Sequence, residues 1–202
     1  MSRRNLILIL ACVVGLAILG GAAWRAGVFG GQDRGGQTGS GTALVGGPFK
    51  LVNQDGQPVD ESILKGKWSA VFFGFTYCPD VCPTTLQALG AAQQELGAKA
   101  DKLQVVFISV DPERDTPEQI KTYLSNEVFP KGTIGLTGTP EQVAAAAKAY
   151  RVYFKKNGEG DDYLVDHSTA IYLMNPKGQF ETVLRHDAPP AELAQQIAQA
   201  IK

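Results

Sequence analysis

The 202-residue chain is poor in cysteine, with three, and in histidine, with two, and neither sign of charge dominates, since 19 Lys and Arg stand against 20 Asp and Glu. Three cysteines are too few for a disulfide scaffold. The even balance leaves no polycationic footprint, which argues against nucleic acid as a partner. At 44% hydrophobic and 19% charged residues the composition can fold. The length suits one domain of about 150 residues with a short appendage, large enough to bury a core without covalent staples.

Charge is nevertheless uneven along the chain. Residues 1–47 hold Arg3, Arg4, Arg25 and Arg34 against the single acid Asp33, while residues 48–202 carry 15 basic and 19 acidic side chains. A mildly acidic domain therefore follows a basic, apolar leader. From Leu6 to Trp24 no residue is charged, and roughly 20 such residues span a hydrocarbon core at a helical rise of about 1.5 Å each. A cleaved signal peptide has a shorter apolar stretch and a small-x-small exit, to which Ala22-Ala23-Trp24 corresponds poorly. The reading is a retained transmembrane anchor over 6–24 behind a cytoplasmic stub, 1–5. Arg3 and Arg4 hold that stub inside, against the weaker opposing bias of Arg25. The rest is then exported, which places the protein as a single-pass species of the cytoplasmic (inner) membrane with its domain on the periplasmic or outer side. Ile9-Leu10-Ala11-Cys12 is similar to a lipoprotein processing site, but the apolar run continues well past Cys12, which reads as a lipid-facing or packing residue. Nine glycines between 27 and 47 mark 25–47 as a flexible tether.

The domain, 48–202, alternates strand and helix signals. Phe49–Val52 reads as a strand before a turn, and Trp68–Phe75 is a continuous apolar run suited to a strand covered on both faces. A helix over about Pro83–Leu96, a strand over Leu103–Asp111, a helix from Thr116 and a strand near Thr133–Leu136 follow. Thr116-Pro117-Glu118-Gln119 and Thr139-Pro140-Glu141-Gln142 repeat one helix-starting device: a Thr cap, a Pro in the first turn, and a Gln placed to reach back. The first helix continues with Ile120, Tyr123, Leu124 and Val128 as one apolar stripe; the second is Ala-rich to Tyr150. A β-excursion occupies 152–167, a hairpin turns at Asn175-Pro176-Lys177-Gly178, and a last helix runs from about Pro190 to Ile201. The expected fold is α/β and thioredoxin-like, with a β-hairpin excursion.

Cys78-Pro79-Asp80-Val81-Cys82-Pro83 follows the central strand and opens a helix. Proline at a first helical position, followed by Thr84-Thr85, places Cys82 at or near a helix N-terminus, where free N–H groups and the dipole stabilise a thiolate. An exported dithiol exchanges disulfides or binds a soft metal. Exchange proteins use two residues between the cysteines; here there are three, and no proline occurs between Arg151 and Asn175, where those proteins carry one facing the disulfide. That stretch offers Asp166-His167-Ser168 instead. His167 precedes a strand that should lie beside the one ending at Cys78, and two thiolates with one imidazole suit copper, Cu(I) above all, whereas zinc asks for a fourth ligand. His186 looks like a solvated surface residue. Asp111, Arg114 and Asp115 have two readings, a turn with a helix cap or a role in orienting the loop and docking a partner. Asp80 and Asp166 are candidate acceptors beside the ligands, Asp166 for the imidazole. Glu159, Asp161 and Asp162 read as a solvated run.

The segments Phe73–Pro83, Ser109–Pro117 and Tyr163–Ser168, in this order, resemble the Sco/SenC family of copper chaperones. The resemblance covers 48–202 and includes the leading anchor. It implies a thioredoxin-like fold that binds one copper, as Cu(I) or also Cu(II), through Cys78, Cys82 and His167. It also implies a membrane-tethered role toward the copper A-bearing subunit of cytochrome c oxidase, with an upstream periplasmic copper donor or thiol reductant as further partners. Family members deliver copper, reduce the acceptor's cysteines or sense redox state, and the motif is common to all three. The rival reading is a membrane-tethered thiol–disulfide oxidoreductase or redox sensor in which Cys78 and Cys82 are the redox pair. A peroxidase stands further back, because no Arg accompanies the cysteines in 68–96.

Overall fold

The structure, a computed structural model, describes residues 45–201. The expected anchor, Leu6–Trp24, and most of the tether lie outside the described residues. Among the described residues no helix is long and apolar enough to cross a membrane.

Among the described residues, nine strands and four α-helices alternate much as the hydrophobic pattern predicts. In chain order they are β1 (Lys50–Asn53), β2 (Pro58–Asp60), β3 (Trp68–Gly74), α1 (Val81–Glu95), β4 (Leu103–Ser109), α2 (Pro117–Leu124), β5 (Ile134–Thr137), α3 (Pro140–Ala149), β6 (Phe154–Asn157), β7 (Leu164–His167), β8 (Ile171–Met174), β9 (Phe180–Leu184) and α4 (Pro190–Ala200). Seven strands form one sheet in the order β2-β1-β5-β4-β3-β8-β9, and among the described residues β6 pairs with β7 alone. Every residue of β3 after Trp68 is buried, as a strand covered on both faces must be. With α1 packed on α4 and α2 on β5, this is a thioredoxin-like α/β arrangement carrying the expected hairpin excursion.

Register explains where chemistry gathers. β3 and β4 are parallel with Gly74 opposite Ser109, so both chains leave the sheet at the same edge. β8 runs antiparallel to β3 with Ile171 opposite Phe72, so its N-terminal end lies at that edge too. The loop after β3, the turn after β4 and the segment entering β8 therefore converge, as expected at the carboxyl ends of parallel strands.

Local boundaries differ from the sequence reading in instructive ways. α1 begins at Val81, so Pro83 is its third residue; proline costs no intrahelical bond there, because the first-turn N–H groups have no partner within the helix. α2 stops at Leu124, and Val128 is 48% exposed beyond it instead of continuing the apolar stripe. β2 and the 3-10 turn Glu61–Leu64 carry no periodic signal long enough to read.

Candidate metal centre

Cys78, Cys82 and His167 each offer one ligand atom, and the three atoms lie within 4.8 Å of one another. Cys78 sits in the loop leaving β3, Cys82 is the second residue of α1, and His167 ends β7. Cys82 is buried and His167 half-buried, with the Cys82 Sγ 3.5 Å from His167 Nε2. The His167 Nδ1 lies 2.9 Å from the Ser168 carbonyl oxygen, which can only accept, so Nδ1 carries the proton and Nε2 turns a lone pair toward the sulfurs. Phe75 and Phe72 flank the imidazole edge-on, with ring centroids 5.7 and 6.3 Å away, and restrict its rotation.

The two sulfurs are unlike. The backbone N–H of Cys82 donates to the Cys78 Sγ at 3.4 Å. Interaction with the Cys82 side chain, aided by backbone N–H groups at the helix start, holds the half-exposed Cys78 thiol down to about 3. Cys82 is pushed far up by sharing its proton with Cys78, by burial and by the Cys78 charge. The pair thus holds one proton, on Cys82. The expectation that the helix N-terminus activates Cys82 is corrected here: its N–H groups face the other sulfur.

Cys82 fits inside the core because Gly74 has no side chain. A Cβ at Gly74 would stand 2.7 Å from the Cys82 Sγ and 2.8 Å from Phe107. No residue but glycine leaves that space.

A buried carboxylate holds the loop. Asp115, fully enclosed, accepts from the Thr76 N–H at 3.0 Å, the Thr76 hydroxyl at 2.6 Å and the Ser109 hydroxyl at 2.6 Å. Burial pushes its carboxyl up from the ordinary value, against those three hydrogen bonds. Gln119 Nε2 also donates to the Thr76 hydroxyl, at 3.4 Å, and so makes no capping box, whereas Gln142 closes one on Thr139.

Arg114 joins the loop to the hairpin. Its Nε donates to Asp111 at 2.6 Å, its Nη1 to the Asp161 carbonyl at 3.1 Å, and its guanidinium lies over the rings of Tyr77 and Tyr163, 4.6 and 3.6 Å from their centroids. The Tyr163 hydroxyl donates to Asp111 at 2.6 Å.

Of the residues singled out in the sequence, Asp115 orients the loop, and Asp111 and Arg114 bridge it to the excursion, so the reading of this stretch as turn and cap alone is too small. Two further expectations are corrected. Asp166 is exposed on β7 and leaves the imidazole to the Ser168 carbonyl, since alternation along a strand turns neighbours to opposite faces. Asp80 is exposed and serves Thr84, whose hydroxyl donates to its carbonyl at 2.8 Å. His186 is outside the cluster. Glu159, Asp161 and Asp162 are exposed, as expected of a solvated run, and the Asp161 backbone carbonyl receives Arg114. Gly74, Tyr77 and Tyr163 were not legible as site residues; only their places within the quoted motifs signalled them.

The SCO1/SenC family profile matches residues 37–202. The mitochondrial SCO1 homolog 1 of Arabidopsis thaliana is 50% identical over 143 residues, which cover 70% of this chain and 42% of that protein, so the chain spans less than half of that relative's length. A crystal structure of Arabidopsis thaliana ScoI with copper bound is similar at a TM-score of 0.73 and 43% identity, covering 78% of this chain and 98% of that one. BsSco, described as a member of the Sco family of cytochrome c oxidase assembly proteins in which a disulfide switch was identified, is similar at a TM-score of 0.62 and 27% identity, covering 77% of this chain and 91% of that one. With the profile matched across the whole domain, the chain belongs to the SCO1/SenC family.

Proposed function

We propose that the protein binds one copper ion through the sulfurs of Cys78 and Cys82 and the Nε2 of His167, and serves the assembly of the binuclear copper A centre of cytochrome c oxidase. The observation that carries this reading is the convergence of the three donor atoms within 4.8 Å from the loop after β3, the start of α1 and the end of β7. Their chemistry suits the ion: two sulfurs and an imidazole form a soft set with three donors, and the tautomer fixed by Ser168 leaves Nε2 unprotonated for a metal. Cu(I) is the better match, with Cu(II) as a second state. Copper is cargo here, taken from an upstream periplasmic donor and passed to the copper A-bearing subunit.

The protein's own part is a change of protons. Cys78 is already a thiolate, so metal uptake displaces the proton of Cys82, about one per copper from the thiol pair. Affinity therefore weakens as pH falls. Oxidation acts on the same atoms: the Cys78 thiolate and the Cys82 thiol together lose two electrons and one proton to a disulfide oxidant, and the disulfide formed has no thiolate left to bind metal.

Residues 6–24 act as the anchor and 25–47 as the tether, with the domain on the periplasmic or outer face of the cytoplasmic membrane. This part rests on the uncharged run and on Arg3 and Arg4 before it. Protease added to spheroplasts should digest the domain and leave an embedded fragment; a protected domain refutes the topology.

The asymmetry of the sulfurs supports a second reading, a thiol–disulfide oxidoreductase with Cys78 as the attacking thiolate and a thiol reductant as its partner. Anaerobic copper titration of the full chain in detergent separates the two. One copper per reduced chain, bound far more weakly by His167→Ala and poorly by the oxidised protein, supports the copper reading. Equal binding with and without His167 leaves the oxidoreductase.

A further inference from the structure

The geometry points to Arg114 as a positioning residue, a latch that sets how the hairpin bearing His167 stands against the loop bearing Cys78. This rests on the copper reading of the same site. The hairpin, β6 with β7, belongs to no larger sheet, so no ladder of backbone hydrogen bonds fixes its lean. At its base, Ser168 N–H donates to the Tyr153 carbonyl at 2.9 Å and Tyr153 N–H to the Ser168 hydroxyl at 3.0 Å. These bonds close the hairpin on itself and do not reach the cysteine loop.

Arg114 makes that connection from a third element. One ring it stacks on, Tyr77, precedes Cys78 in the loop; the other, Tyr163, leads into β7. Its ion pair with Asp111 is itself tied to the hairpin through the Tyr163 hydroxyl. Lys156 lies over the same Tyr163 ring, 3.8 Å from its centroid, and pairs with Glu113 at 2.9 Å, a second and more exposed link between the hairpin and the turn that carries Arg114. A planar guanidinium suits this place because it stacks and donates at once, which an ammonium does not. The Arg114 Nη2 is buried without an acceptor, so the group is oriented by the rings and Asp111 rather than by complete hydrogen bonding.

A latch of this kind acts on copper through His167 alone. In the full chain, Arg114→Ala should weaken copper binding by about tenfold or more, the scale on which outer partners of metal ligands act. In the His167→Ala background it should weaken binding no further, because the ligand it positions is gone. The midpoint potential of the Cys78–Cys82 disulfide should stay put, and the nitrogen signature of His167 on bound Cu(II) should fade. Arg114→Lys, keeping the charge but not the plane, should recover only part of the loss. Should Arg114→Ala fail to fold, Tyr77→Leu, which removes an exposed ring, takes its place in both backgrounds and should weaken binding in the same direction.

Unchanged affinity in the single variant, or the same loss in both backgrounds, overturns the latch while leaving the copper site standing. If His167→Ala alone binds copper normally, the ligand assignment has failed and the latch falls with it.

Discussion

The cysteine loop and the histidine hairpin meet at one site but are held by opposite means. The loop grows out of a central strand, has its backbone fixed by a buried carboxylate, and buries one sulfur in the core. The hairpin pairs with itself and is held to the turn after β4 and, through Arg114, to the loop by ring faces, ion pairs and the buried side chains of Tyr163 and Val165. Interactions inside a packed core hold to the limit of global unfolding, whereas those between a small hairpin and its neighbour open locally at much lower cost. A site built this way presents two donors on a firm base and a third on a yielding one.

Native-state amide exchange tests the contrast most directly. Amides of β3 should exchange only through global opening, and those of β6 and β7 about a thousandfold faster or more; similar protection in both would erase the distinction. Within the loop, alkylation of the reduced, metal-free protein should mark Cys78 about a hundredfold faster than Cys82. Because Cys78 is held well below the ordinary thiol value, its rate should stay flat through the ordinary thiol range. A rate that climbs through the ordinary thiol range contradicts the assignment of the thiolate.

Removing the carboxylate should loosen the firm side. Asp115→Ala strands three donors, two of them on Thr76, and should cost about 3 kcal/mol in denaturant unfolding. The sign with pH follows from burial. Since the folded state raises this carboxyl, the protonated form is favoured there, and the stability it contributes is present below the ordinary carboxylate value and lost as pH rises through the raised one. Asp115→Asn should flatten that slope, and an unchanged slope rules out Asp115 as its source. The smallest effect compares two glutamines. Gln142→Ala opens a capping box and Gln119→Ala a bond to the loop; each should cost under about 1 kcal/mol, but only Gln119→Ala should alter copper binding.

Those glutamines also mark how far the sequence could be read. Thr-Pro-Glu-Gln announces a helix start twice, and both helices begin there, since capping depends on residues within one turn. Local pattern cannot reveal that Gln119 turns to Thr76 instead, a residue 43 positions away. The same divide runs through the site. Cys78, Cys82 and His167 were legible because their types and places beside predicted strands carry the chemistry. Which sulfur holds the proton was not, because it depends on the direction in which a few N–H groups point. Asp166 was a reasonable partner for the imidazole by proximity along the chain, yet strand alternation turned it away. Arg114 drew notice as part of a turn, and its stacking on Tyr163 needed the fold to bring distant segments together.

The bare backbone at Gly74 ties two properties that proteins ordinarily keep apart. The Cys82 sulfur occupies the volume a side chain would fill on the central strand, so one atom is both a donor of the candidate metal centre and a piece of the interior. Any event at that atom, whether metal capture, oxidation or alkylation, is also a change of packing beside Phe107 and is felt through an interior that yields little. The heat stability of the whole domain is then a gauge of its chemical state, and a partner that meets only the surface of the fold meets a loaded or an empty protein whose rigidity already differs.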